Sequence, residues 1–517
     1  MSWQNYDQQL LRYPQHGFSL DLSLMDIGDD FITTMEPRIR RAFADMAALE
    51  RGDVVNTDEG RMVGHYWLRN PDLAPNKELR DAIAKPLAAL RKFAADVHSG
   101  AIAPPGGGRF QQILLIGIGG SALGPQLVAE AVGAQARMPI FFFDNTDPAG
   151  MDAVLAKLAT TGLAHTLTLV ISKSGGTAET RNGMLEAKAA WESAGLDFGR
   201  HCVAITQVGS LLDAYAGKHH FITRFPMEDW VGGRTSVLST VGLVPAALQG
   251  LDIDSLLAGA AAMDVLTRNT NVSANAAMRL ALAWFHASDG IGAKDMVVLP
   301  YKDSLVLFSK YLQQLVMESL GKRLDRDGVV VNQGLTVYGN KGSTDQHAYV
   351  QQLRDGVPNF FVSFIEVRKG RTGASIEVEP GATSGDFLQG FFRGTRKALY
   401  ESGRKSLTLS IPEVTPYHLG LLIALFERTV SFYASLVNVN AYHQPGVQAG
   451  KKAAGEFLAT LTNVRGALTA EAATAGRIAT ALGADPEDVH HCLTHLAANS
   501  EARVTPGATP AADTFQR

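Results

Sequence analysis

Short, nearly all-apolar runs recur through the middle of this chain: ILLIG at 113–117, IFFFD at 140–144, LTLVIS at 167–172, CVAIT at 202–206 and HFITR at 220–224. A strand with one wet face alternates apolar and polar residues, so a run without alternation must be covered on both faces. Helix-like segments separate these runs, which predicts a parallel sheet with helices on either side. After a helical stretch at 251–288 the pattern restarts with DMVVLP at 295–300, GVVVNQ at 328–333, FFVSFIEV at 360–367 and SLTLSI at 406–411. The chain is therefore predicted to be α/β, with two doubly wound, mainly parallel-sheet domains and helical N-terminal and C-terminal extensions. The expected boundaries are a helical segment at 1–100 packing on the second domain, a first α/β domain at 101–255, and a second at 256–500 that includes C-terminal helices. A flexible tail is expected at 501–517. The Pro/Gly-rich joint APPGGG at 103–108 marks the first boundary.

A length of 517 residues leaves room for several domains. The formal net charge is −4 and no block of Lys/Arg is present, so neither a nucleic acid nor an anionic membrane is an expected partner. Cys202 and Cys492 are far apart in the chain, which fits a reducing cytoplasm better than a disulfide framework. The first residues lack the basic and apolar regions of a signal peptide. The apolar stretch LGLLIALF at 419–426 falls short of the ~18–20 residues of a membrane span. The HHCLTH segment puts His491 and His495 four apart beside Cys492. Without a second ligand pair it reads as a helix face rather than a zinc site, and no metal is expected.

Two glycine-rich loops follow apolar runs. In the first, IGIGGSALG at 116–124, Gly117, Gly119 and Ala122 satisfy the G-x-G-x-x-G/A dinucleotide pattern, with Asp144 available for a ribose. The second, SKSGGTAET at 172–180, concentrates Ser172, Lys173, Ser174, Gly175, Gly176 and Thr177 before a helix. Free backbone N–H groups and the helix dipole favour an anion there. Helix capping by Ser174 and Thr177 is the plainer reading, but a cap needs one hydroxyl rather than three. A dinucleotide enzyme has no need of this second nest, and neither loop has Walker A spacing. Both loops should meet at the carboxyl end of one sheet, with Gly120 and Ser121 lining one wall and the second loop gripping a phosphate monoester.

Four further stretches carry reactive groups. In DWVGGRTSVLSTVG at 229–242, Gly232 and Gly233 allow close backbone approach, and Arg234 can aim a permanent charge at a developing oxyanion. In QQLVMESLGK at 313–322, Gln314 and Glu318 share a helix face. Glu318 suits a general base, while an i,i+4 ion pair with Lys322 is the blander alternative. In STDQHAYVQ at 343–351, Ser343 and Gln346 fit a capping box. His347 then sits at a helix start, where the dipole disfavours its protonation. YHQPGVQAGK at 442–451 offers Gln444 and Lys451 beside a bend.

Taken in order over some 330 positions, as a rough count, these motifs resemble the phosphoglucose isomerase family, built from two sugar-isomerase domains. The resemblance implies aldose–ketose isomerisation of glucose 6-phosphate and fructose 6-phosphate, in glycolysis and gluconeogenesis, without a cofactor. It implies that Ser121, Ser172, Ser174 and Thr177 hold the sugar phosphate, with Lys173 in the same loop, and that Gly120 and Gly233 line the site. Glu318 would move a proton between C2 and C1 and Arg234 would stabilise the enediol(ate). His347 and Lys451 would assist ring opening, and Gln314 and Gln444 would contact substrate. It also implies a homodimer whose partner chain supplies the histidine. The family pattern is departed from at Thr235, His443, Gln448 and Asp345, none of them a position with a chemical role. A non-catalytic phosphosugar-binding regulator would keep the second loop but need not keep Glu318, Arg234 and His347 together.

Overall fold

The computed structural model describes residues 2–517, apart from the side chains at 29, 447–449 and 451. The chain divides into two compact units, 1–443 and 444–517.

The larger unit holds two sheets. In the first, five strands run parallel in the order Ile140–Phe143, Gln112–Ile116, Thr166–Ile171, Cys202–Thr206, Thr223–Pro226. Their apolar runs are buried as the lack of alternation demands: every residue of Gln112–Ile116 and Thr166–Ile171 is buried. In the second sheet, Ser406–Ile411, Phe360–Val367, Asp295–Pro300 and Val337–Tyr338 are parallel. Two antiparallel N-terminal strands, Leu10–Tyr13 and Phe18–Leu24, continue it past Ser406–Ile411. The N-terminal segment is thus not purely helical; it completes the second sheet. Phe18–Leu24 reads FSLDLSL, an alternation that predicts a wet face, yet all seven residues are buried. Its polar face is dry because Arg396, from the helix Ser384–Glu401, lies on it and pairs with Asp21 at 2.5 Å.

The run GVVVNQ does not join the main sheet. Its residues Val330–Gln333 pair antiparallel with Lys322–Leu324 in a separate two-stranded ribbon, and Val329 and Val330 are exposed.

The helix Pro416–Leu436 is long and apolar enough to cross a membrane by length and composition, contrary to the sequence expectation. It is instead a core helix, buried throughout that span. Two charges ride inside it because partners meet them: Glu427 pairs with Arg69 at 2.5 Å, and Arg428 pairs with Glu50 at 2.6 Å and Asp264 at 3.1 Å. Buried ions persist only when compensated in this way.

The smaller unit comprises the helices Pro445–Ala467, Ala475–Leu482 and Pro486–Ala498 with a three-stranded sheet. It has its own apolar core, built on Val464, Ile478, Val489, Cys492, Leu493 and Phe515. The last residues are therefore not a mobile tail. Arg503–Thr505 and Thr514–Gln516 pair with each other, and Phe515 is fully buried. A single apolar anchor in a polar segment is too sparse a signal to read from sequence. Cys492 belongs to this core rather than to the His491 and His495 face, and no cluster of three or more metal-competent side chains occurs among the described residues.

Candidate active site

In chain order the first sheet reads 2-1-3-4-5. Successive crossovers therefore change direction between Gln112–Ile116 and Thr166–Ile171, the point where open α/β sheets leave a crevice for a ligand. Both glycine loops leave from these two neighbouring strands. The first turns into the helix Gly120–Val132, with Ser121 half-buried in its opening turn.

The second loop folds on itself ahead of the helix Ala178–Ser193. Ser172 Oγ accepts from the Gly175 N–H at 3.1 Å and Ser174 Oγ from the Gly176 N–H at 3.2 Å, while Ser172 lies 3.4 Å from the Thr177 hydroxyl. Gly175 adopts φ +70°, and a β-carbon there would meet the Leu212 backbone nitrogen at 2.2 Å, so the turn demands glycine. Thr177 occupies the N-cap position but its side chain makes no cap hydrogen bond. Capping does not explain that hydroxyl. Lys173 departs from expectation: its Nζ donates to the carbonyls of Asp229 at 2.8 Å and Val231 at 3.1 Å instead of standing free in the loop.

The Gly-Gly-Arg segment packs directly against the first loop. A β-carbon on Gly120 would fall 2.0 Å from the Gly233 carbonyl oxygen, so the two backbones are in contact and the close approach demands glycine. The tight turn Gly233–Thr235 presents Arg234, which is 7 % exposed. Its Nη2 donates to the carbonyls of Ala441 at 2.7 Å and His443 at 3.0 Å, and its Nη1 meets Glu318 Oε1 at 2.8 Å. Burial lowers the Arg234 pKa, with Glu318 opposing that shift. A guanidinium still carries its charge under such a shift.

Glu318 ends a π-helical turn, Gln313–Glu318, a form concentrated at functional sites. Gln314, from the same turn, faces the first loop: its amide nitrogen would lie 3.2 Å from a β-carbon on Gly119. The Glu318–Lys322 ion pair, the blander alternative, does not form. Lys322 Nζ instead donates to the Glu318 backbone carbonyl at 2.7 Å, leaving the carboxylate to Arg234. Lys322 is 4 % exposed, and burial, with Arg234 beside it, lowers its amine to about 7.

The His347 turn also differs from expectation. Ser343 makes no cap hydrogen bond, and Gln346 turns away to Thr395. His347 closes a 3-10 turn, Thr344–His347, and the following helix begins only at Val350, so no helix N-terminus acts on the imidazole. The organiser of this turn is Asp345, a position that sequence reasoning noted only as a departure from pattern. It is 2 % exposed and accepts from the backbone N–H groups of Asn340 at 2.8 Å and Lys341 at 3.0 Å, and from the Tyr349 hydroxyl at 2.5 Å. His347 itself is exposed, and no hydrogen bond or ion pair links it to Arg234 or Glu318 among the described residues. Gln444 is exposed at the start of the helix Pro445–Ala467 in the smaller unit, and the Lys451 and Gln448 side chains lie outside the described residues.

Within the larger unit the fold thus sets Gly120 against Gly233, Gln314 against the first loop and Glu318 against Arg234, with the hydroxyl-rich loop on the adjoining strand. The family model of phosphoglucose isomerase matches residues 26–478. The chain belongs to the phosphoglucose isomerase family. It is 59% identical over 508 residues to a glucose-6-phosphate isomerase from Geotalea daltonii, covering 97% of this chain and 96% of that one. A glucose-6-phosphate isomerase from Geobacter sulfurreducens is 59% identical over 504 residues, covering 96% and 95%. Among solved structures, a glucose-6-phosphate isomerase from Chlamydia trachomatis superposes with a TM-score of 0.81 at 25% identity, over 89% of this chain and 92% of that one. Membership agrees with the α/β fold and its two mainly parallel sheets.

Proposed function

We infer that this phosphoglucose isomerase interconverts glucose 6-phosphate and fructose 6-phosphate by ring opening and proton transfer through a cis-enediol(ate). The observation that carries the reading is the 2.8 Å pairing of Glu318 with Arg234 beside two phosphate-competent loops. Aldose–ketose isomerisation moves one hydrogen between adjacent carbons. A single carboxylate performs it by removing the proton from C2 and returning it to C1, since both atoms lie within its reach. Charge develops meanwhile on the neighbouring oxygen, where Arg234 stabilises it without itself giving up a proton.

Ser121, Ser172, Ser174 and Thr177 hold the 6-phosphate. The ester is remote from the reacting carbons, so its binding energy goes into positioning them. Gln314 and Gln444 contact the sugar, and His347 with Lys451 opens the ring. The exposure of His347, and its lack of any link to Glu318 within one chain, support a homodimer in which the partner completes each site. A phosphorylated metabolite as substrate and two free, buried thiols suit a cytoplasmic enzyme.

A coupled assay of fructose 6-phosphate conversion in the presence of EDTA tests this. Wild type should turn over, and Glu318→Gln should lose on the order of 10²–10⁴ in kcat while still binding 6-phosphogluconate. Near-normal proton exchange from C2 in that variant would remove Glu318 as the base.

A further inference from the structure

The Lys173 ammonium reaches across to the segment that precedes Arg234. It donates to the carbonyls of Asp229 at 2.8 Å and Val231 at 3.1 Å, and stands 3.5 Å from the Asp229 carboxylate. The carbonyl between them, of Trp230, accepts from the Gly64 N–H at 3.0 Å, and Asp229 is held on its other oxygen by Arg61 at 3.2 Å. Every carbonyl from 229 to 231 is therefore gripped from outside the segment. Gly232 and Gly233 follow without side chains to stiffen them, and then Arg234. Lys173 and Arg234 line the same small cavity with Asp229 and Gly232. The backbone of Lys173 is in turn fixed to the sheet: its carbonyl accepts from the Gln207 N–H at 3.1 Å. An ammonium that donates to two carbonyls and faces a carboxylate 3.5 Å away is turned toward this segment.

We propose that Lys173 is a positioning residue: its ammonium straps the phosphate loop to the segment that aims Arg234, and does not itself bind the phosphate. The proposal rests on the isomerase reading above and gives it a route by which the far-end ester is tied to the reacting end. Without the strap, the turn that carries Arg234 loses its tie to the phosphate loop and keeps only the holds on its own side, the Ala441 and His443 carbonyls, Glu318 and the Gly120 contact, so the guanidinium is set less closely against the phosphate-bound sugar. A displacement of about 1 Å in such a group costs on the order of 10²-fold in rate.

The test uses the full chain. Lys173→Met keeps the length of the side chain and removes its donors. Kcat on fructose 6-phosphate should fall about ten- to hundred-fold, while the Kd for 6-phosphogluconate by calorimetry stays within about threefold of wild type, less than the loss of one charged hydrogen bond would cause. Lys173→Arg, which reaches the same carbonyls, should recover most of kcat. Unchanged kcat in Lys173→Met, or a Kd that weakens in step with kcat, overturns the proposal, the second by making the lysine a phosphate ligand. Should Lys173→Met not yield folded protein, Asp229→Asn loosens the far end of the strap and is judged on the same two readouts. An inactive wild type sinks the isomerase reading; an active wild type equalled by Lys173→Met sinks only the strap.

Discussion

Lys322 is an amine buried beside an arginine, at a cost the folded state relieves by releasing a proton. Its pKa falls to about 7 through burial and the Arg234 charge, with Glu318 and Asp58 pulling the other way. The sign follows from counting protons. Between about 7 and the ordinary 10.5 the unfolded chain holds a proton on Lys322 that the native protein does not, so stability rises with pH across that window. Below it both states are charged and the full burial cost is borne. Lys322→Met removes the titration along with one hydrogen bond. Thermal melts from about pH 7 to pH 10 should show a rise for wild type that the variant lacks, at most about 1.4 kcal/mol per pH unit. Parallel curves would show that the amine keeps its charge when buried. The i,i+4 spacing of Glu318 and Lys322 made them neighbours on sequence alone, and neighbours they are. What spacing does not carry is that the turn is π-helical, which moves the lysine onto a carbonyl. Nor does it carry that Arg234, distant in the chain, takes the carboxylate. Asp345 was hidden for a related reason: two of its partners are backbone N–H groups, which leave no mark in a sequence.

The strands of both sheets were legible because burial on two faces forces continuous apolar runs, and these runs coincide with the observed strands at 112–116, 166–171, 202–206, 295–300, 360–367 and 406–411. Two runs misled. Phe18–Leu24 alternates and is buried by virtue of Arg396, and Val330–Gln333 is apolar yet forms an exposed ribbon, since three valines together show β-preference but not which sheet they join. The phosphate loop was legible as an element, because hydroxyls in excess of what a cap needs stand at a helix start. That excess can be tested without harming the helix. Thr177 makes no cap hydrogen bond and Ser174 is exposed, holding only the Gly176 N–H. Ser174→Ala combined with Thr177→Ala should therefore leave the melting temperature within about 2 °C. Each hydroxyl lost from a charged phosphate costs about 1.5–3 kcal/mol, so 6-phosphogluconate should bind at least tenfold more weakly by calorimetry. Unaltered binding would return these hydroxyls to a structural role, and the isomerase would need another anion site.

At the scale of the whole molecule, His347 is a candidate group that no described hydrogen bond or ion pair links to Arg234 or Glu318. It is exposed on a turn that Asp345 holds rigidly through Asn340, Lys341 and Tyr349. The homodimer proposed above would give this exposed imidazole a use. In a twofold dimer, each chain's turn completes the other's site and both sites are equivalent. This arrangement makes a prediction that a self-contained site does not. Glu318→Gln and His347→Ala are each expected to be nearly inactive as homodimers. Unfolded together and refolded, they form hybrids in which one site carries both substitutions and the other carries neither. Random pairing makes about half of all dimers hybrid, each with one intact site, so the mixture should regain roughly a quarter of wild-type activity. Were His347 to serve the Glu318 of its own chain, every site in the mixture would carry one substitution and no activity would return. Activity that reappears only after joint refolding, and scales with the hybrid fraction separated by charge, therefore locates the histidine across the interface. It does so without relying on how strongly either single substitution impairs the chemistry.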